Sequence, residues 1–220
     1  MLATKQELML DRNKDIKDFV DEFTDGARNR IRYSLEIEEI LKGLDNGLTL
    51  DQVKIYASRE FNAFEMGQIR LGLEHGLSVE QAGVYAKPEF YILQMEEIRT
   101  GLEHGLTIEQ VKVYANPEFV WPQMREIREG FESGLSMEQI SYYAKPGAYD
   151  SSMMFSLRNW FEDEFSIEQL EKYANPGVFS PRQIYSIKEG LKNGLTDDQI
   201  KVFANPDYTS EEMSNIRGVL

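Results

Sequence analysis

Gln94-Met-Glu-Glu-Ile-Arg-Thr-Gly-Leu-Glu-His-Gly-Leu-Thr-Ile-Glu-Gln-Val-Lys-Val-Tyr-Ala-Asn-Pro-Glu-Phe119 is one copy of a unit that recurs along most of this chain. A sequence built this way predicts a one-dimensional stack of similar modules. The period follows from the Gly-Leu pair: Gly43-Leu44, Gly72-Leu73, Gly101-Leu102, Gly130-Phe131, then Trp160-Phe161, Gly190-Leu191 and Gly218, in steps of 29, 29, 29, 30, 30 and 28 residues. The longer steps gain their residue after Pro146 and Pro176, where Gly147 and Gly177 replace Glu118. Insertion there identifies a loop, because inserting within a helix would rotate its apolar face out of register.

Each unit reads as two antiparallel helices. Met95, Ile98 and Leu102 share one stripe of a first helix, which Gly105 ends as a left-handed residue. Thr107 with Gln110 has the spacing of a capping box, as do Thr49 with Gln52, Ser78 with Gln81, Ser136 with Gln139, Ser166 with Gln169 and Thr196 with Gln199. A second helix of about two turns therefore starts six times. Val111, Tyr114 and Ala115 form its stripe, and Pro117 stops it. Met95, Ile98, Leu102, Leu106, Val111, Tyr114 and Phe119 are the expected core of one repeat. Since so short a helix is marginal alone, neighbouring helices must hold it.

The expected architecture is an all-α solenoid of two-helix repeats over residues 36–220, with residues 1–35 as an N-terminal helical cap in one continuous domain. Within the cap, Ile16, Phe19, Val20 and Phe23 have helical spacing, Asp25-Gly26 interrupts it, and a second amphipathic stretch runs through Ile31 and Leu35. An end module of a solenoid has one apolar face to cover, and residues 14–35 are expected to cover it.

Hydrophobic residues make up 41% of the 220, which excludes a disordered chain. No run of about 18 apolar residues is present, and Met1 to Arg12 lacks a basic segment followed by an apolar one. The expectation is a cytoplasmic protein without a membrane partner. Absence of cysteine removes disulfides and thiolate metal sites and fits a reducing compartment. The first 35 residues hold seven basic and seven acidic side chains, so the whole formal charge of −14 falls on the repeats. A phosphate-binding surface is normally basic, which disfavours direct nucleic-acid binding. The acid excess serves solubility, or attracts a basic protein partner such as the nucleic-acid groove of another protein.

No catalytic constellation stands out, and no metal or cofactor is expected. His75 and His104 share a repeat position whose other occupants are Asn46, Ser133, Asp163 and Asn193. Neighbouring helices place such atoms roughly 10 Å apart, too far for one ion. Arg70, Arg99, Arg128, Arg158, Lys188 and Arg217 form a more regular ladder. Glu74, Glu103, Glu132 and Glu162 follow four residues after the first four, which predicts an ion-pair seam rather than an anion stripe. The series Tyr56, Tyr85, Tyr114, Tyr143, Tyr173 and Phe203 reads as core.

Candidate partner-binding residues lie where repeats disagree. Tyr91, Ile92, Leu93, Val120 and Trp121 put apolar area at the start of the first helix, where later units have Asp150-Ser-Ser, Ser180-Pro-Arg and Thr209-Ser-Glu, residues expected to be N-caps. They are either buried against an adjacent module or part of a partner patch with Trp121 as anchor. In the fifth unit Trp160 replaces the repeated Gly, Phe165 replaces Leu, and Glu164 replaces the terminal Gly. Trp160 is expected to bend or open the stack or to expose its indole, as a structural adjustment or as a second contact site.

The string Gln-Met-x-x-Ile-Arg-x-Gly-Leu-Glu-x-Gly-Leu, followed by Glu-Gln-Val-x-x-Tyr-Ala-x-Pro-Glu-Phe, resembles the tandem repeats of poorly characterised proteins of gut Firmicutes and their phages and mobile elements. The resemblance spans about residues 36–220, with the fifth unit departing from it, and implies no catalytic residue. What it implies is a setting, because small acidic proteins of mobile elements include inhibitors of defence and nucleic-acid enzymes. The expected function is non-catalytic protein–protein interaction. The alternative is an acidic inhibitor that blocks a defence or nucleic-acid-processing protein by DNA mimicry, followed by a small-ligand receptor or enzyme.

Overall fold

A computed structural model describes residues 14–25 and 32–220. Among these residues every regular element is a helix, and no helix is long and apolar enough to cross a membrane. The chain divides into two compact units, Met1–Pro117 and Glu118–Leu220. The first contains α1 (Lys14–Thr24), α2 (Ser34–Asp45), α3 (Leu50–Val53), α4 (Ala63–Glu74), α5 (Val79–Tyr85), α6 (Ile92–Glu103) and α7 (Ile108–Tyr114). The second contains α8 (Trp121–Glu132), α9 (Met137–Tyr143), α10 (Ser151–Glu162), α11 (Ile167–Tyr173), α12 (Pro181–Lys192), α13 (Asp197–Phe203) and α14 (Ser210–Arg217).

Twelve-residue helices alternate with short ones. In unit 1, α2 packs on α4 and α4 on α6; in unit 2, α8 packs on α10, α10 on α12 and α12 on α14. Each of the short helices α3, α5, α7, α9 and α13 lies against the long helix before it. The start of a short helix is fixed by the expected box: in all six copies the Ser or Thr side chain accepts from the amide of the Gln three residues on. The Gln oxygen accepts in return from the cap amide, at 2.8–2.9 Å. Met95, Ile98, Leu102, Leu106, Val111, Tyr114 and Phe119 are all buried, as the two stripes required.

The close approach within a repeat is between its glycine and its tyrosine. A Cβ on Gly101 would stand 2.0 Å from the Tyr114 hydroxyl, and one on Gly43, Gly72 or Gly130 would meet Tyr56, Tyr85 or Tyr143 at 2.0–2.3 Å. A helical glycine costs about 1 kcal/mol relative to alanine, so its recurrence is explained by the ring it admits. The hydroxyls of Tyr56 and Tyr143 donate to the carbonyls of Glu39 and Glu126, each at 3.2 Å. That of Tyr85 is buried without a hydrogen-bond partner among the described residues.

On the other side of the long helices runs the arginine seam. Arg70 Nε donates to Glu39 of the preceding repeat at 2.8 Å and Nη1 to Glu74 at 2.6 Å. Arg99 repeats the arrangement on Gln68 at 3.1 Å and Glu103 at 2.7 Å. In unit 2, Arg128 pairs with Glu132 at 2.8 Å, and Arg158 with Glu126 at 3.0 Å and Glu162 at 2.7 Å. Only about a tenth of each guanidinium side chain is exposed. Glu39 thus ties two neighbours at once, its carbonyl to Tyr56 and its carboxylate to Arg70.

The N-terminal helix is joined to the first repeat through Arg59, whose Nε donates to Phe23 O at 2.7 Å and whose Nη1 meets Asp25 at 2.6 Å. Val20, Phe23 and Thr24 are buried, which fits the covering role. Residues 26–31, including Ile31 of the expected second amphipathic stretch, lie outside the described residues. Leu35 corrects that expectation: it belongs to α2 and is 59% exposed, because Ile37 and Ile40 occupy the buried side of that helix.

Two predictions follow from these contacts. Gly101→Ala should lower stability by about 1–3 kcal/mol despite the better helix former. Adding Tyr114→Phe, which removes the hydroxyl nearest the new methyl, should recover part of that loss in urea unfolding; a stabilised single variant would contradict the packing argument. The second concerns pH. Burial opposes ionisation of Glu39, but hydrogen bonds from Lys42 and Arg70 outweigh it and hold the carboxyl below the usual range. At Glu126 burial prevails over the bond from Arg158 and pushes the carboxyl up. Stability from Glu39 is therefore present above the ordinary Glu value and lost as pH falls through the lowered one, whereas the contribution of Glu126 declines as pH rises through its raised value. Glu39→Gln should cost about 1–3 kcal/mol at neutral pH and progressively less on acidification. Glu126→Gln should cost less at neutral pH, and its deficit relative to the parent should grow on acidification. Equal pH profiles for both variants in chemical denaturation would refute the distinction.

Candidate functional site

Within unit 2, the face formed by the long helices α8, α10, α12 and α14 opens into a groove of about 1140 Å³. Its origin is a change of residue type at two columns of the repeat. Where Glu126 binds Arg158, the next two copies have Ser156 and Ser186, too short to reach the following cation. The Ser156 hydroxyl instead donates to Pro181 O at 3.4 Å, and Ser186 Oγ lies 3.2 Å from Ser214 Oγ. Lys188 turns to Asp163 at 2.6 Å, and Arg217 donates to the Ser186 carbonyl at 2.9 Å. Serine hydroxyls line the space that longer acids would fill.

The second column is that of Arg125, which becomes Phe155 on α10 and Tyr185 on α12. These rings are 50% and 57% exposed, although each stands one residue after a fully buried Met154 or Ile184. A cation lies by each: Arg158 is 5.4 Å from the Phe155 centroid and Lys188 5.7 Å from that of Tyr185. Both cations are themselves fixed by acids, so the rings sit on braced supports instead of moving with free side chains. At the rim stands Arg182, exposed and with no ion-pair partner among the described residues. The groove thus combines two aromatic surfaces, hydroxyls, and a guanidinium available to a carboxylate. It contains no nucleophile held by a neighbouring base: the hydroxyls of Ser156 and Ser186 face carbonyls or another hydroxyl, and no histidine lines the space.

The residues singled out from sequence fall in three environments. In unit 1, Tyr91 and Leu93 are 43% and 40% exposed at the start of α6, with Ile92 half-buried between them. In unit 2, Val120 is 52% exposed and Trp121 half-buried, its ring 5.8 Å from the Arg125 guanidinium beside the groove. Apolar residues are tolerated at these helix starts because a glutamine does the capping: Gln94 Oε1 accepts from Tyr91 N at 3.2 Å and Gln123 Oε1 from Val120 N at 2.9 Å. Gln123 Nε2 also donates to the Tyr149 carbonyl at 2.7 Å, fastening the following loop. The same arrangement corrects the reading of Ser180, whose side chain makes no cap bond; Gln183 accepts from its amide at 2.8 Å. Asp150 and Thr209 are side-chain caps as expected.

Trp160 is withdrawn from the candidate surface. Its side chain is fully buried, its indole nitrogen donates to Ser166 O at 3.1 Å, and its ring lies 5.1 Å from that of Phe165. The indole fits because the tyrosine of this repeat leaves: Tyr173 is half-buried, its hydroxyl bonded to Asp197 and its ring 4.5 Å from Lys172 Nζ. Glu164 completes the local change with φ of +64° where neighbouring copies have glycine. A large residue from the first helix has replaced a large residue from the second.

His75 ends α4, with Nδ1 2.9 Å from Glu103 of the next repeat. Among the described residues no three His, Asp or Glu side chains are grouped as metal ligands. Sequence reasoning missed Phe155, Tyr185 and Arg182. The available signal was the column Gly67, Glu96, Arg125, Phe155, Tyr185, in which aromatic residues follow small or charged ones on the outward side of a helix. Comparison of the chain with protein-family models, curated proteins and solved structures finds no match.

Proposed function

We propose that the chain is a non-catalytic protein-binding scaffold, its helix pairs stacking within each unit as a short α-solenoid, and that the unit 2 groove receives an extended segment of a protein partner. The observation that carries this reading is the pair of exposed rings, Phe155 and Tyr185, held over fixed cations where the acidic seam has been replaced by serines. The groove is open and its lining comes from four successive long helices, which suits an extended stretch of chain. The segment would lay apolar side chains on the two rings and present a carboxylate to Arg182, while serine hydroxyls bond its backbone. Trp121, beside Arg125 at one end of the groove, extends the same surface. Tyr91 and Val120 are further exposed positions at which a partner could be gripped.

Selection of peptides of about a dozen residues on the intact protein tests the reading. Enriched sequences should combine an acidic residue with apolar ones, and truncating an aromatic anchor should weaken them by about 2 kcal/mol. Phe155→Ser and Tyr185→Ser should therefore reduce affinity about thirtyfold. Arg182→Glu should also reduce it, with melting temperatures unchanged because all three side chains are exposed. Peptides that bind the triple variant as tightly as the parent would exclude the groove.

A further inference from the structure

A different exposed surface lies on unit 1, and its register is that of the repeat itself. Leu35 on α2, Phe64 on α4 and Leu93 on α6 are 29 residues apart and occupy the same helical position. They are 59%, 72% and 40% exposed. In each case the neighbouring apolar residues face inward: Ile37, Met66 and Met95 are at most 1% exposed. The outward leucines and phenylalanine lie outside that buried set. Three large apolar side chains on three successive packed helices make a row, whereas the same position in unit 2 holds Pro122, Ser152, Arg182 and Glu211. A row this regular is unlike singly scattered surface apolar residues.

Charge on both sides of the row is acidic. One residue on from Leu35 is Glu36, and one turn on from Leu35 and Leu93 are Glu38 and Glu96. Glu36 and Glu96 have no ion-pair partner among the described residues; Glu38 shares the half-exposed Lys42 at 3.1 Å. The strong cations of these helices are turned away from it, Arg70 to Glu39 and Glu74, Arg99 to Gln68 and Glu103. Between Glu38 and Glu96 the corresponding residue is Gly67. A Cβ there would meet only the Glu39 carboxyl, at 3.3 Å, so no side chain from that position screens the Phe64 ring.

We propose that the Leu35–Phe64–Leu93 row docks an amphipathic helix of a protein partner, with large apolar residues every seventh position and Lys or Arg on either flank. Packed helices lie about 8–10 Å apart, and seven residues of an α-helix rise about 10.5 Å. A partner helix running across α2, α4 and α6 would therefore deliver one apolar residue to each rung. Its basic flanks would meet Glu36, Glu38 and Glu96, whose charges are otherwise uncompensated or only partly so. The mode is the reverse of the usual helix-in-groove arrangement in one respect: the receiving apolar line is carried by three helices at right angles to the ligand's run of contacts.

The probe is a synthetic helical peptide of about 21 residues with Leu at every seventh position and Lys flanks, titrated against the full chain by fluorescence anisotropy. A second peptide replaces each Lys with Glu, and a third keeps the Lys composition but carries a central Pro to prevent the helix. Binding is expected only with the first, weakening at least tenfold in Phe64→Ser and in Glu36→Lys/Glu96→Lys, and also when ionic strength is raised. Arg182→Glu, which removes the cation of the unit 2 groove, should leave this binding unchanged, so failure at one surface is separable from failure at the other. Equal binding of the Glu peptide or the Pro peptide overturns the proposal, as does indifference to Phe64→Ser. Sedimentation of the protein alone supplies the other contrary outcome: self-association abolished by Phe64→Ser would make the row an interface between copies. Since Phe64 is largely solvent-exposed, an unchanged melting temperature in Phe64→Ser shows that the readout is docking and not unfolding.

Discussion

The absence of a single carbon atom governs how each repeat is assembled. With no Cβ at Gly101, the hydroxyl of Tyr114 reaches to 2.0 Å from where that atom would lie, and the short helix settles against the long one. Everything downstream depends on that proximity. A seven-residue helix has too few internal hydrogen bonds to persist alone, so the buried ring and the capping box together define it. Once the short helix is fixed, the long helices can meet one another on their remaining side, where Arg70, Arg99 and Arg158 reach back to the previous repeat. The glycine and the arginine are two residues apart in sequence and address different neighbours.

The fifth repeat shows that what is constrained is the filled volume and not the residue pair. With Trp160 in place of glycine, one large ring still fills the space, but it comes from the long helix, and Tyr173 is displaced to the surface beside Lys172 and Asp197. Phe203 in the sixth repeat is an intermediate solution: the ring still enters opposite Gly190, without a hydroxyl, so a Cβ there would meet Cζ at 2.7 Å. The Tyr85 hydroxyl, buried and unpaired among the described residues, carries a desolvation cost of about 1–3 kcal/mol that the packing of its ring must outweigh. Net gains from one hydrogen bond are only about 1 kcal/mol.

Much of this was legible in the sequence because the local rules are repeated. Six Ser/Thr-x-x-Gln strings predict six helix starts, and Arg followed by Glu four residues later predicts the within-helix half of the seam. The half that reaches the preceding repeat was less visible, since Glu39, Gln68 and Glu126 precede their arginines by more than 30 residues and differ in type. The two readings of Trp160, structural adjustment or contact site, stay open in the sequence for a related reason: it shows that a bulky residue has entered, but the compensating departure of Tyr173 leaves that residue's identity unchanged. Leu35 reads as part of the cap because it follows Ile31 at helical spacing, and only its position opposite Ile37 shows that it faces outward. Phe155 and Tyr185 were overlooked because aromatics in a helical repeat resemble core. Their column is outward, as Glu96 and Arg125 in the same column indicate.

The division between inward and outward columns also explains how a stack can acquire different surfaces without altering its fold. Replacing Glu126 by Ser156 and Ser186 in successive copies gives up a bridge between long helices, yet the capping boxes and the ring packed between the two helices of these copies, Trp160 or Phe203, do not depend on that carboxylate. The lost bridge is a modest sacrifice, because charge-assisted hydrogen bonds contribute about 1.5–3 kcal/mol before the cost of burying the ions is counted. Space released by the shorter side chain is then bounded by the next outward residue, Phe155 or Tyr185, and becomes a groove. In unit 1 the seam keeps side chains long enough to reach the next arginine, Glu39 and Gln68, the outward apolar residues move one turn earlier to Leu35, Phe64 and Leu93, and the surface is a raised line flanked by carboxylates. The same type of helix pair thus presents a hydroxyl-lined groove in one unit and an acid-flanked ridge in the other, because the residues of both surfaces occupy columns that the core does not use.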